Sequence, residues 1–324
     1  MTDPVTRLLA GRDWLLADGG SGTTLFGMGL STGEAPELWN ELAPDRVRAL
    51  YDGAIAAGSD IFLTNSFGGN AARLSHHDAG DAVGRLNRAA AAIAREAVAA
   101  SGREVIVAGS IGPTGVLLAP SGRLSAASAT EMFEEQARAL IDGGVDILWV
   151  ETMSAPEELE AAAAAVARTG HPWCCTMSFD TDGRTMAGLA AAEMVALVEG
   201  LPVPPVAYGA NCGVGAPDLL RTLIELAAAG PRLPLIAKAN AGIPKLVDGR
   251  VVYDGTPELM AEYAVLARDC GARIIGGCCG TGPEHLSAMH AALLTAPHGP
   301  LPDEAAIETR VGPFTRTPLQ PRSH

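Results

Sequence analysis

Eight short apolar runs, at residues 14–20, 60–67, 104–112, 146–153, 173–180, 206–213, 235–242 and 272–280, recur along this chain. Each closes on glycine, cysteine or a polar residue. The stretches between them carry helical periodicity: Leu86, Ala90, Ile93 and Ala97 after the second run, and Leu259, Tyr263, Leu266 and Cys270 before the last. Helix starts are signalled at Pro44-Asp45, Ser125, Pro156-Glu157-Glu158, Thr256-Pro257-Glu258 and Pro283-Glu284. Eight strand–helix units with near-continuous apolar strands predict a closed parallel sheet wrapped by helices, a single (β/α)8 TIM barrel. The 324 residues suit that one domain, and 48% apolar content is enough for its core. The predicted division is a barrel over 1–295 and a C-terminal tail over 296–324, rich in proline and charge, that could drape over a partner subunit in a homo-oligomer. Connections at 21–43 and 68–80 exceed the usual few residues and are predicted to be lids or substrate loops.

In such barrels the chemistry sits at the carboxyl ends of the strands. Here those ends read Asp18-Gly19-Gly20, Thr64-Asn65-Ser66, Gly109-Ser110-Ile111-Gly112, Glu151-Thr152, Ser178-Phe179-Asp180, Asn211-Cys212, Asn240-Ala241-Gly242 and Cys278-Cys279. Cys212, Cys278 and Cys279 could converge on one soft metal ion such as Zn2+, which takes thiolates at about 2.3 Å and in a catalytic site keeps one position open. Adjacent cysteines point to opposite faces of an ideal strand, so the glycines at 276, 277 and 280 are expected to bend the chain until both sulfurs turn inward. Three thiolates make a poor Lewis acid. They suit the binding of a substrate thiol, which is only a few per cent ionised at pH 7 when free. Cys174, Cys175 and Cys270 lie inside a strand or on a helix stripe and read as core.

Asp18 and Glu151 close the first and fourth strands. Either could accept a backbone N–H in its own turn, or the ammonium of an amino-acid substrate, for which Glu151 is the first choice. Gly19, Gly20 and Gly22 would leave amides free to hold a carboxylate. Lys238 could form a Schiff base, as in a barrel aldolase, or a buried salt bridge. His76 and His77 read as solvated, and His285 as a helix-end side chain. A formal charge of −14 argues against nucleic acid and anionic membranes as partners. No signal peptide or apolar run of about 20 residues is evident, and the cysteines do not form a secreted disulfide pattern. The expectation is a cytoplasmic, reduced protein.

The motifs D-G-G-S-G-T from Asp18, T-N-S-F from Thr64, G-S-I-G-P-T-G from Gly109, E-T at Glu151, G-A-N-C-G from Gly209 and G-G-C-C-G-T from Gly276 resemble those of the homocysteine S-methyltransferase family. The resemblance runs from Asp18 to Pro283. It implies zinc held by Cys212, Cys278 and Cys279. It also implies homocysteine held by Asp18, Gly19, Gly20, Thr64 and Glu151, with Asn211 beside the metal. Among its branches the chain looks most similar to bacterial proteins described as betaine–homocysteine methyltransferases, through A-P-E-L-W-N at 35–40 and Y-D-G-T-P-E-L-M at 253–260. Trp39 matches an aromatic of the betaine pocket, and a quaternary ammonium is drawn to a ring face. Phe67 and Tyr253 join it as candidates for the donor cage, or as loop anchors.

Two departures bear on the donor. Gly68 stands where the animal betaine enzymes have a tyrosine, and Thr152 replaces a tyrosine as in methionine synthase. The cobalamin pattern D-x-H-x-x-G is missing, since Ser75 holds the aspartate position before His77. The implied activity is zinc-dependent methyl transfer from glycine betaine to homocysteine, giving methionine and dimethylglycine. S-methylmethionine or dimethylsulfoniopropionate could replace betaine as donor. The chain could also be a homocysteine module of a split cobalamin-dependent methionine synthase. More remote are a Schiff-base aldolase using Lys238 and a non-catalytic zinc-binding barrel.

Overall fold

In the computed structural model, which describes residues 2–179, 183–247 and 250–315, all eight apolar runs supply strands of one sheet. In chain order the strands are β1 (Leu15–Leu16), β2 (Ile61–Leu63), β3 (Ile106–Ile111), β4 (Ile147–Met153), β5 (Trp173–Met177), β6 (Ala207–Cys212), β7 (Leu235–Ala239), β8 (Lys245–Val247), β9 (Arg250–Val252) and β10 (Ala272–Gly277). The barrel order is β1-β10-β7-β6-β5-β4-β3-β2, with every neighbouring pair parallel. The seam between β1 and β2 is closed by Asp60, whose N–H donates to Leu16 O at 2.7 Å while its Oδ2 accepts from Leu16 N at 3.0 Å. The molecule is a (β/α)8 TIM barrel.

Side-chain alternation sorts the strand residues into two cores. Ile61, Ile106, Ile147, Trp149, Cys174, Ile236 and Ile274 pack in one cluster within the barrel, joined by Val5, Leu8 and Leu9 of the first helix. Their neighbours Phe62, Val107, Leu148, Val150 and Cys175 join the larger cluster between sheet and helices. Cys174, Cys175 and Cys270 are core residues, as the sequence predicts. Gly209 is required by closeness: a Cβ there would fall 1.9 Å from Ile236 O on the neighbouring strand.

The two long connections carry short helices of their own. Residues 21–43 contain the helices Ser21–Gly27, Pro36–Leu38 and Trp39–Leu42, and the second connection contains Ala71–Leu74 and Ser75–His77. Asn70 starts the latter by accepting from Arg73 N at 3.1 Å. Asn40 and Asn65 tie the two connections together: Asn40 Nδ2 donates to Asn65 O at 2.9 Å, and Asn65 Nδ2 donates to Pro36 O at 2.7 Å. The antiparallel pair β8–β9, which hydrophobic patterning did not anticipate, occupies the connection after β7.

Residues 296–315, the described part of the predicted tail, include regular structure. Glu304–Val311 is a helix, and its Ile307 and Val311 are buried in the main core cluster. Thr315 N donates to Asp218 Oδ2 at 2.9 Å on the same side of the barrel. Asp303 caps the helix by accepting from Ala306 N at 2.8 Å. Asp303→Ala is expected to lower stability by about 1 kcal/mol in urea unfolding. No described helix is long and apolar enough to cross a membrane.

Candidate active site

The C-terminal ends of the strands open into a cavity of ≈ 720 Å³, within the 300–1,000 Å³ usual for small-molecule sites. Its floor carries the three cysteines, whose sulfurs all lie within 4.8 Å of one another. Backbone geometry brings them together in two ways. Cys212 adopts φ 64°, a left-handed conformation uncommon outside glycine, which turns the end of β6. The Cys278-Cys279 pair is pinned to the end of β7: Cys278 N donates to Ala239 O at 2.7 Å, and Cys279 N to Asn240 Oδ1 at 3.0 Å.

The three glycines predicted to bend this segment divide that work. Gly280 has φ 79°, and a Cβ on it would meet Tyr253 at 2.4 Å. Gly276 and Gly277 remain in β10 and serve close packing instead. A Cβ on Gly276 would lie 2.8 Å from Asp18 O, and one on Gly277 would lie 2.2 Å from Thr281.

Hydrogen bonds from Cys212 and Cys278 draw the Cys279 thiol well below the ordinary range, while contacts with Cys278 and Cys279 push Cys212 up. Cys278, pulled down by Cys212 but pushed up more by Cys279 and burial, rises to about 12, so one thiolate is favoured among three crowded soft donors. Sulfurs bound tetrahedrally at about 2.3 Å stand about 3.8 Å apart, so the spacing fits one ion. Asn211 reaches the cluster, with Nδ2 3.7 Å from Cys278 Sγ and 2.7 Å from Thr152 Oγ1. Thr152 also has a left-handed φ of 61°, and its N–H donates to Asn211 Oδ1.

Beside the sulfurs the cavity is lined by Gly19, Gly20, Thr64, Ser110, Glu151 and Lys238. Burial pushes the Glu151 carboxyl up to about 7, against the pull of Lys238. Ser110 Oγ donates to Glu151 Oε1. Lys238 Nζ lies 2.5 Å from Asp18 Oδ1, with both side chains almost wholly buried. Burial opposes the lysine's charge, but Asp18 and Glu151 outweigh it and hold Nζ protonated. A protonated, ion-paired lysine is no Schiff-base nucleophile, and Lys238 takes the salt-bridge role.

Several predicted residues sit elsewhere than expected. Asp18 is not on the cavity wall: its carboxylate is taken by Lys238 and by Leu63 N at 2.8 Å. The Gly20 amide is not free, because it donates to Thr281 O at 3.0 Å. Trp39 packs in the main core with the Arg46 guanidinium 4.8 Å from its ring centroid, and is not among the cavity-lining residues. Phe67 lines the cavity, but Arg73 stands over its ring at 5.5 Å. Tyr253 lines the cavity beside Cys279. His76 and His77 are exposed at its mouth, and His285 closes its own helix start by accepting from Gly282 N at 3.1 Å. Asp180 lies outside the described residues. Ser110, Glu37 and Arg73 are cavity residues to which the sequence reading gave no role, although Ser110 stands within the G-S-I-G-P-T-G motif and Glu37 within A-P-E-L-W-N.

The sequence model of the family described as homocysteine S-methyltransferase matches residues 15–293. The chain belongs to the homocysteine S-methyltransferase family. The homocysteine methyltransferase MmuM from Escherichia coli, in a metallated form, superposes with a TM-score of 0.75 at 26% identity, covering 89% of this chain and 99% of that one. Methionine synthase from Mycobacterium tuberculosis (strain ATCC 25618 / H37Rv) is 30% identical over 295 residues, 86% of this chain and 24% of its own length. Methionine synthase from Mycobacterium leprae (strain TN) is 29% identical over 304 residues, 89% of this chain and 25% of its own. The chain thus spans about a quarter of these two relatives.

Proposed function

We propose that this homocysteine S-methyltransferase uses an onium methyl donor, with glycine betaine first and S-methylmethionine or dimethylsulfoniopropionate behind it. The observation that carries the reading is the convergence of Cys212, Cys278 and Cys279 on the cavity floor beside Glu151. Those three cysteines would hold Zn2+. At such a three-thiolate site with an open position, a substrate thiol ionises near neutral pH.

The other groups orient the amino acid. Glu151, aimed by Ser110, accepts the homocysteine ammonium. The backbone of Gly19 and the Thr64 hydroxyl border its carboxylate, Gly20 shapes the wall, and Asp18 acts at one remove by holding Lys238. Asn211 steadies Cys278 and Thr152. In the transfer step the homocysteine sulfur forms a bond to the methyl carbon as the carbon–onium bond breaks, and that bond's electron pair stays on the donor heteroatom. Opposite charges cancel, so a dry cavity favours the step over water. Phe67 and Tyr253 flank the donor's approach. Trp39, from its place in the core, supports the wall rather than the donor.

A methionine-formation assay on metal-loaded protein, with each donor offered separately, tests the reading: turnover with one of the three is expected, and none with any would sink it. The methionine synthase relatives favour a second reading, in which the chain is the homocysteine module of a split cobalamin-dependent enzyme. It predicts turnover only with a methylated cobalamin protein. The division into barrel (1–295) and tail (296–324), a cytoplasmic location and a homo-oligomeric state belong to the same proposal.

A pH dependence follows from Glu151. With its pKa near 7, the carboxylate that accepts the ammonium forms as pH rises through 7. Homocysteine affinity is expected to fall about tenfold per pH unit below that point. Titration calorimetry between pH 5.5 and 8 should show affinity falling more steeply below pH 7 in the wild type, by about one further proton, than in Glu151→Gln, where only proton release by the thiol remains.

A further inference from the structure

The mouth of the cavity holds two charged side chains that the acceptor chemistry leaves unused. Glu37, on the short helix Pro36–Leu38, is only 4% exposed and lines the cavity. Its Oε1 accepts from Gly68 N at 2.6 Å, and its other donor is its own backbone N–H. Among the described residues no cation pairs with it, and Arg73 and His77 act on it only through space. A buried carboxylate with backbone donors alone is a costly arrangement unless a cation completes it.

Arg73 lines the same cavity. Its Nε donates to Pro113 O at 2.9 Å and its guanidinium covers Phe67, which fixes the group's plane. Among the described residues neither terminal nitrogen has a hydrogen-bond partner. That leaves the guanidinium fork open, in the geometry suited to bidentate capture of a carboxylate. The two charges flank Gly68: a Cβ on that residue would lie 3.1 Å from Glu37 Oε1 and 3.4 Å from Arg73 Cδ. The Asn40–Asn65 ties that join the two connections hold them in register.

We propose that Glu37 and Arg73 are the donor subsite and that it reads a zwitterion, with the onium centre against the Glu37 carboxylate and the donor's own carboxylate on the Arg73 fork. The inference rests on the methyltransferase reading above and narrows its donor to a class. It also moves recognition of the donor's charge from an aromatic cage to a carboxylate, since the Phe67 face is taken and Trp39 lies in the core. The onium's positive charge declines as the methyl departs. Glu37 therefore stabilises the charged donor more than the transition state, and its removal is expected to raise donor KM while kcat holds or rises.

The test uses metal-loaded full-length protein and titrations followed by calorimetry. Glycine betaine is compared with 3,3-dimethylbutyrate, which keeps the carboxylate and replaces the ammonium by neutral carbon, and with tetramethylammonium, which lacks the carboxylate. Dimethylsulfoniopropionate is compared with 4-methylpentanoate in the same way. For at least one donor, binding at least tenfold tighter than its neutral analogue is expected. Glu37→Gln, which keeps an acceptor for Gly68 N, should erase that preference. Arg73→Gln should erase the preference of the zwitterion over the bare cation.

Equal binding of both zwitterions and their neutral analogues by the wild type overturns the proposal without any variant. So does an unchanged preference in folded Glu37→Gln. Homocysteine binding is read separately from the change that added homocysteine makes in the thiolate-to-metal absorption of cobalt(II)-substituted protein. No change in the band with an intact charge preference refutes the acceptor reading and leaves the subsite standing. A changed band with no charge preference does the reverse.

Discussion

Cys278→Ala is expected to lower methionine formation by at least about a hundredfold and to abolish metal binding, because it deletes one of the three ligands proposed for the metal. Loss of a mere outer-shell partner of a metal site already costs 10–100-fold, and a direct ligand costs more. The change should leave the fold in place. Cys278 is held through its backbone, by the N–H to Ala239 O and by its carbonyl, which accepts from Thr281 N at 3.1 Å, and neither bond involves sulfur. Metal content by elemental analysis, methionine formation and the far-UV spectrum are measured on one preparation. Full metal occupancy and undiminished turnover in folded Cys278→Ala would falsify the metal assignment. Cys174→Ala is a useful contrast: its thiol is buried in the barrel core, so the change should cost stability while leaving metal content intact.

What could be read from sequence divides along a physical line. Strands and their rim residues were legible because burial on both faces makes continuous apolar runs, and the run's end marks the rim. The cysteine set was legible because thiols at strand ends beside glycine have few other uses. Position within the connections was not legible. Whether Trp39 faces a ligand or the core depends on the short helix it begins and on Arg46 lying over its ring, which no local pattern announces. Asp18 was placed at the right strand end, yet its carboxylate turns to Lys238, 220 residues away in sequence. The Gly20 amide was assigned to a ligand because its partner, Thr281 O, belongs to a segment more than 250 residues further along the chain. The roles of Glu37 and Arg73 were not legible for the same reason: single charges in connections, even Glu37 within A-P-E-L-W-N, resemble a solvated surface until two connections are folded onto one another.

The buried Asp18–Lys238 pair is where a single substitution should be felt most in stability. Lys238→Met is expected to cost about 3–5 kcal/mol in urea unfolding near pH 7, since it strands a carboxylate that is 6% exposed and has only the Leu63 N–H left to it. The pair itself is worth much less than that, because both ions are desolvated on folding. The double variant Asp18→Asn/Lys238→Met should therefore recover most of the loss: the asparagine oxygen still accepts from Leu63 N and no buried charge remains. That non-additivity is the signature of direct pairing. Catalysis should not recover with stability. Lys238 is also the cation that opposes the burial-driven rise of Glu151, so without it the carboxyl holds its proton to higher pH and loses the ammonium. A single variant less than about 1 kcal/mol down, or a double variant no more stable than Lys238→Met, would mean that the two charges are screened by water and that the cavity floor is wetter than its burial indicates.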